Sequence, residues 1–403
     1  MHLQGTGGPL RATRGRVGGS ALALVFLLLA ACGGKAGQTP STSAVTPTTT
    51  PAPATTAVPV EPSGPPGGPV PAGFGAISVT FVSLRTGWVL GTAPCSTPPC
   101  TSILRTRDGG QSWVGVPAPP TELAFDQPTR SGVSRIRFAD ADNGWVFGPE
   151  LWTTHDAGGS WARTSLPGVG EGSEVLDLEA AAGRVHAVVL TNRGIVILSS
   201  PVGADAWQAS PTVVPIGAGP VPGGDIVLSG DTGWMFEVDR VVGGGARLTG
   251  GAWVPWPPPC VGAGGAAFLA ASAADHLVAV CDEGQWNDRP RAVRAYESTD
   301  GGASFAPICA PVPLAGAAAV GAAGVGSTVV AGSDSSGAAL LVATFDGGST
   351  WSEVYRGPRG GWDEIGFTSP SQGVAVAGED GSAVGPLLMT LDGGHTWSEV
   401  PLR

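Results

Sequence analysis

Beyond residue 75, apolar and polar positions alternate in short runs bounded by Gly and Asp, the period of half-buried β-strands. Ile77-Ser78-Val79-Thr80-Phe81 and Ile136-Arg137-Phe138 are two such runs. A Gly-Trp pair opens the following strand at Gly87-Trp88, Gly144-Trp145 and Gly233-Trp234. No convincing amphipathic helix follows the N-terminal segment, so the pattern predicts an all-β chain.

A repeat is laid over these strands. Five segments share one motif, [ST]-x-D-x-G-x-[ST]-W, the Asp box. They are Thr106-Arg107-Asp108-Gly109-Gly110-Gln111-Ser112-Trp113, Thr154-His155-Asp156-Ala157-Gly158-Gly159-Ser160-Trp161, Ser298-Thr299-Asp300-Gly301-Gly302-Ala303-Ser304-Phe305, Thr344-Phe345-Asp346-Gly347-Gly348-Ser349-Thr350-Trp351 and Thr390-Leu391-Asp392-Gly393-Gly394-His395-Thr396-Trp397. Asp accepts backbone N–H groups within a tight turn, Gly supplies positive φ, and the closing aromatic ring packs between sheets. Asp108, Asp156, Asp300, Asp346 and Asp392 are therefore read as structural residues, together with Trp113, Trp161, Phe305, Trp351 and Trp397.

The spacing counts the units. Asp108 and Asp156 are 48 residues apart, Asp156 and Asp300 are 144 apart, and the last two intervals are 46 each. Two units must lie between the second and third boxes, with aromatics near positions 209 and 257; Trp207 and the pair Trp253/Trp256 stand close by. Gly203 to Trp207 and Gly250-Gly251-Ala252-Trp253 read as eroded boxes. Four short strands per unit of about 46 residues predict a seven-bladed β-propeller of four-stranded antiparallel blades over 75–403. The box would join the third and fourth strands of each blade.

The N-terminus changes the picture. Arg11, Arg14 and Arg16 precede an apolar run over residues 21–30, too short to span a bilayer comfortably. It ends in Leu29-Ala30-Ala31-Cys32-Gly33-Gly34, which resembles the bacterial lipobox, whose Cys is lipidated and becomes the first mature residue. The expectation is a signal peptide over 1–31, a lipid on Cys32, and a Pro/Thr-rich disordered linker over 32–74. The chain would then sit on the outer face of the cytoplasmic membrane as a lipid-anchored, extracytoplasmic monomer. The alternative is an ordinary secretory signal with an incidental Cys.

Composition supports a packed domain: Gly and Pro together number 102, yet the chain is periodic and carries 13 Trp. The net charge of −11 argues against nucleic-acid binding. In an oxidising compartment Cys95 and Cys100 are expected to pair across Ser96-Thr97-Pro98-Pro99, and of the remaining Cys260, Cys281 and Cys309 the favoured pair is Cys260 with Cys281. That leaves Cys309 as a buried free thiol. With no CxxC or His-x-x-His and five scattered His, neither a metal site nor any cofactor is expected.

The Gly-Trp and Asp-Gly-Gly-x-[ST]-Trp pattern of residues 75–403 resembles the propellers of the photosystem II assembly factor family and its bacterial relatives. It is also similar to sialidases, sortilins and some glucanases, which share Asp boxes. The resemblance implies a propeller and, by family analogy, a role in assembling or stabilising another membrane protein; it implies no photosynthetic role.

No catalytic residue is assigned. Sialidase chemistry needs three Arg, a Tyr–Glu pair and an Asp, but only Tyr296 and Tyr355 exist, both beside Asp boxes, and no Phe-Arg-Ile-Pro segment occurs. A glycosidase needs two carboxylates roughly 5–10 Å apart; the innermost-strand candidates are Asp177, Asp225, Asp363 and Glu364, which also read as strand-edge turn residues. No GxSxG, P-loop or HExxH motif occurs. Arg135 and Arg137 either line the channel or pair with nearby carboxylates. The longer loops share the face opposite the boxes. They carry Trp286, Arg289 and Arg291 in blade five, and Arg356, Arg359 and Trp362 at the crossing into blade seven, the chemistry of interface anchors. The bland reading of Trp286 and Trp362 is packing between blades. The leading expectation is a non-catalytic envelope scaffold that binds a protein or envelope glycan. A sialidase-like or other glycan-active hydrolase is the alternative.

Overall fold

Residues 64–124, 131–215, 223–239, 241–261, 266–283, 292–379 and 384–403 are described by a computed structural model. The first 63 residues, which carry the expected signal peptide, Cys32 and most of the linker, lie outside the described residues.

Alternation becomes sheet as expected. Gly75–Phe81, Gly87–Thr92, Thr101–Thr106 and Val114–Val116 form the first blade, each strand hydrogen-bonded antiparallel to the next. The same order repeats through the chain as seven four-stranded units. No helix occurs among the described residues. Blades six and seven share one 16-residue strand, Ser352–Phe367, whose first half is the outer edge of blade six and whose second half is the inner strand of blade seven.

The Gly-Trp pairs have a steric cause. A Cβ on Gly87 would lie 2.7 Å from the Phe81 ring, and one on Gly144 would lie 2.5 Å from the Phe138 ring. The glycine lets the aromatic at the end of the inner strand lie flat on the backbone, and the Trp beside it turns into the next interface. Trp88 stacks on Phe138 of blade two with centroids 3.7 Å apart, and its Nε1 donates to Ala157 O of the second Asp box (3.2 Å). Trp234 donates in the same way to Gly301 O of the next box (3.0 Å).

Seven hydrophobic clusters fill the blade interfaces. One of them joins blade one, through Val79, Val89 and Leu104, to blade seven, through Val374, Val376 and Leu387. Gly385 N donates to Ala76 O across the same seam (3.2 Å). Among the described residues each blade is contiguous in sequence, and the ring closes by packing and a backbone bridge rather than by exchanging a strand.

Three expectations need correction. The linker ends before residue 74: Gly68 and Gly115 exchange backbone hydrogen bonds (2.8 and 2.9 Å), and Val70 and Phe74 pack into the blade one–seven cluster. The outer strand of blade one would otherwise present an unpaired edge, which this segment covers. Cys309 is exposed rather than buried, because it sits past the short outer strand Ala306–Pro307 and not in the core. Trp362 is treated with the site below. Cys95–Cys100 and Cys260–Cys281 are both bonded.

Candidate functional site

The inner strands line a central channel. In Arg135–Phe138, alternation buries Ile136 and Phe138 in the blade and turns Arg135 and Arg137 to the axis. In Glu174–Ala181 it buries Leu178 and turns Asp177 and Glu179 inward; in Gly223–Ser229, Asp225 faces the axis. Blade seven departs from strict alternation. A bulge between Trp362 and Glu364 lets the consecutive Asp363 and Glu364 both reach the channel. Phe268, Leu269 and Val320 of blades five and six form the opposite, apolar wall of a cavity of about 330 Å³.

Most of these charges hold the ring together. Arg137 Nε donates to Glu179 (2.5 Å) and its Nη1 to Glu364 (3.1 Å) and to Ile136 O (2.9 Å). Burial would lower the Arg137 pKa, but Glu179, Glu364 and Asp177 overcome it and hold the guanidinium charged. The backbone N–H groups of Leu178 and Ile226 donate to Asp177 (2.9 and 3.0 Å), the second across a blade boundary. Val79 N–H donates to Glu364 across another, and Ile136 N–H donates to Ser78 Oγ (3.1 Å) across a third. An inner strand is a sheet edge, so its free N–H groups need acceptors that the neighbouring blade supplies.

Two carboxyls are less committed. Burial and the neighbouring Asp177, to which it is hydrogen-bonded, hold the Asp225 carboxyl well above the usual range. Burial and Glu364 push Asp363 up to about 7, with Arg135 opposing. Glu179 is also raised by burial, with Arg137 pulling against it.

The Asp boxes do separate work on the other face. In the first, Asp108 Oδ1 accepts from Ser112 N–H (2.9 Å) and Thr106 Oγ1 (2.8 Å), while Gly110 N–H donates to Thr106 Oγ1 (2.9 Å). Asp156, Asp300, Asp346 and Asp392 repeat this clasp. Hydrogen bonds from Ser304 and Ser298 lower Asp300 to about 2. Trp113, Trp161 and Trp397 meet Phe81, Phe138 and Phe367 of their own blades edge-on. Phe305 tilts against Trp256, and Trp351 packs at the blade five–six interface.

Trp286, Arg289 and Arg291 lie outside the described residues. Arg359 is exposed and donates to Ser336 O (2.9 Å). Trp362 is not an exposed anchor: it is 8% exposed, donates to Gly332 O (2.9 Å) and meets Tyr355 edge-on. The bulge that turns Asp363 inward drives this ring between blades six and seven. Arg356 pairs with Asp334 and Glu353 (both 2.7 Å). The sequence reading overlooked Glu179, although its position two residues after Asp177 on an alternating strand signals the same face. It also overlooked that Tyr296 donates to Glu283 (2.8 Å). That Tyr–Glu pair lies on the third and second strands of blade five, away from the channel. Burial and Glu283 raise the phenol pKa, the reverse of an activated nucleophile.

The family model described as photosynthesis system II assembly factor YCF48 matches residues 70–241. Among solved structures, "YCF48 bound to D1 peptide" is 19% identical, covers 83% of this chain and 96% of that one, and gives a TM-score of 0.52. YCF48 from Cyanidioschyzon merolae is 15% identical over 80% of this chain and 97% of its own, also at 0.52. A puromycin-hydrolyzing peptidase of Mycobacterium tuberculosis is 15% identical at 0.53; the match covers 85% of this chain and 57% of the peptidase. No curated protein matches the sequence. The chain carries a BNR-type β-propeller that resembles the photosystem II assembly factor.

Proposed function

We propose that this chain is a non-catalytic binding scaffold, anchored through a lipid on Cys32 at the outer face of the cytoplasmic membrane, whose propeller holds a peptide segment of a protein partner. The observation that carries this reading is how the channel carboxylates are used. Asp177, Glu179 and Glu364 are each spent on a backbone N–H group or on Arg137, which leaves a recessed cavity without a free nucleophile beside a free acid. The similar solved structure bound to D1 peptide supports a peptide as the class of ligand.

One feature favours a hydrolase: burial and the neighbouring Asp177 push the Asp225 carboxyl well above its usual range in an open channel. The two are in direct hydrogen bond, however, whereas glycosidase carboxylates stand about 5–10 Å apart to admit the sugar and water. Binding remains the better use of this site.

The test is capture from the protein's own membranes after mild crosslinking of the full chain, with Trp286→Ala/Arg289→Ala as the loop-face control. A stoichiometric partner lost in the control is the expected result. Hydrolysis of a glycan library with no captured partner would overturn the reading. Cys32→Ala is expected to release the protein from the membrane fraction.

A further inference from the structure

We propose that the axial cavity is a receptor for a cationic side chain, an ammonium or guanidinium on an aliphatic stem, presented by the bound peptide. This rests on the scaffold reading and names the group recognised at that site. Five carboxylates, Asp177, Glu179, Asp225, Asp363 and Glu364, face two guanidiniums there. Arg137 is engaged by Glu179 and Glu364, and burial beside Asp177 pushes Asp225 toward its neutral form, which leaves Asp177 and Asp363 against Arg135 alone. The surplus negative charge sits in a recess where water screens it poorly.

Two further observations point to the same class of ligand. Asp363 Oδ2 is buried and accepts no hydrogen bond, so an acceptor stands ready for an N–H donor. Across the cavity, Phe268, Leu269 and Val320 offer an apolar wall suited to methylenes. A volume of about 330 Å³ takes one long side chain and little more. Among the described residues no three His, Cys, Asp or Glu side chains converge to chelate a metal ion, which favours an organic cation.

The cavity sits at the start of the inner strands, toward the long loops. Arg135, Asp225 and Asp363 lie nearest the strand starts; Arg137 lies two residues beyond Arg135, about 7 Å deeper, with Glu179 and Glu364 paired to it. A cation entering there must displace the proton that burial and Glu364 keep on Asp363 up to about 7. Binding therefore releases protons, and affinity rises with pH through neutrality.

Calorimetry on the full chain, with the peptide Ac-Ala-Ala-Lys-Ala-Ala-NH2, its norleucine and glutamate twins, and cadaverine, tests this. The lysine peptide is expected to bind at least about tenfold tighter than the norleucine peptide and tighter still at pH 8 than at pH 6. Asp363→Asn should weaken it about tenfold, and Arg135→Gln, which removes a competing cation, should tighten it. A merely structural role for Arg135 could not produce that gain. Equal binding of lysine and norleucine, preference for glutamate, or weakening by Arg135→Gln would overturn the proposal. Cadaverine binding with the lysine peptide refused would reject a protein-borne source in favour of free diamines. Partner capture without lysine-peptide binding sinks this inference alone; lysine-peptide binding without any captured partner sinks the scaffold reading alone.

Discussion

Blades one, two, five, six and seven carry an intact Asp box; blades three and four do not, and the two groups solve the same turn differently. In the first group an Asp carboxylate gathers a Ser or Thr N–H and two hydroxyls. Blade three keeps only Ser200, whose Oγ accepts from Ala206 N–H (2.9 Å), and its Asp205 reaches out to His155 of the neighbouring box (3.0 Å). Blade four replaces the box with a Gly250-Gly251 turn at φ +58° and +78°, which pairs Thr249 directly with Ala252. The loss is felt next door. Trp88 and Trp234 donate to a box carbonyl in the following blade, whereas Trp145, which faces blade three, has a buried Nε1 with no acceptor. The boxless blades nevertheless supply Asp177, Glu179 and Asp225 to the channel. The clasp on one face and the charges on the axis are thus independent properties of a blade.

The largest effect should come from the link between the two groups. Arg137→Leu strands Glu179 and Glu364 in a recess between blades three and seven. It is expected to cost about 3–5 kcal/mol, the penalty for removing one partner of a buried ion pair. Chemical denaturation measures it; a cost below about 1 kcal/mol would mean that the triad does not hold the blades.

The pH dependence separates the regions by sign. Asp363 is raised from its ordinary value to about 7, so the folded state holds a proton that the unfolded chain has lost, and its contribution falls as pH rises from about 4 to 7. The box carboxylates Asp300 and Asp392 are lowered to about 2, so their contribution is present above about 4 and is lost as pH falls toward 2. Asp363→Asn should flatten the slope of melting temperature between pH 4 and 7 and leave the acid limb unchanged. An unchanged neutral slope would place that proton elsewhere.

Within the turns, Asp156→Ala removes a clasp and should cost about 1–2 kcal/mol, whereas Asp205→Ala in the boxless turn should stay within about 0.5 kcal/mol. Equal costs would erase the distinction. The smallest difference is between tryptophans: Trp88→Phe loses a hydrogen bond that Trp145→Phe never had, so the first should cost about 1 kcal/mol more, read from paired denaturation midpoints.

Much of the scaffold was legible in the chain. The boxes, their spacing and the Gly-Trp pairs predict strands, turns and unit length because each is a local hydrogen-bond or steric requirement. The eroded boxes were legible only as intervals, and their geometry differs because nothing local demands an Asp there. At the candidate site, Asp177, Asp225, Asp363, Glu364, Arg135 and Arg137 were all visible as inner-strand residues. Their roles were not. Trp362 shows why: one bulged residue reverses which side chain faces the axis and which enters the core.

What the sequence determined by itself is therefore what repeats over a few residues: the strand period of two, the box turn and the 46- to 48-residue unit. The tertiary structure alone decided which charges meet. Arg137 contacts Glu179 at a separation of 42 residues and Glu364 at 227. The ring closes between the first and last blades through Ala76, Gly385 and their apolar neighbours. Local propensity sets a strand within a few residues, but an electrostatic partner in a closed ring is fixed by geometry that exists only once every blade is in place.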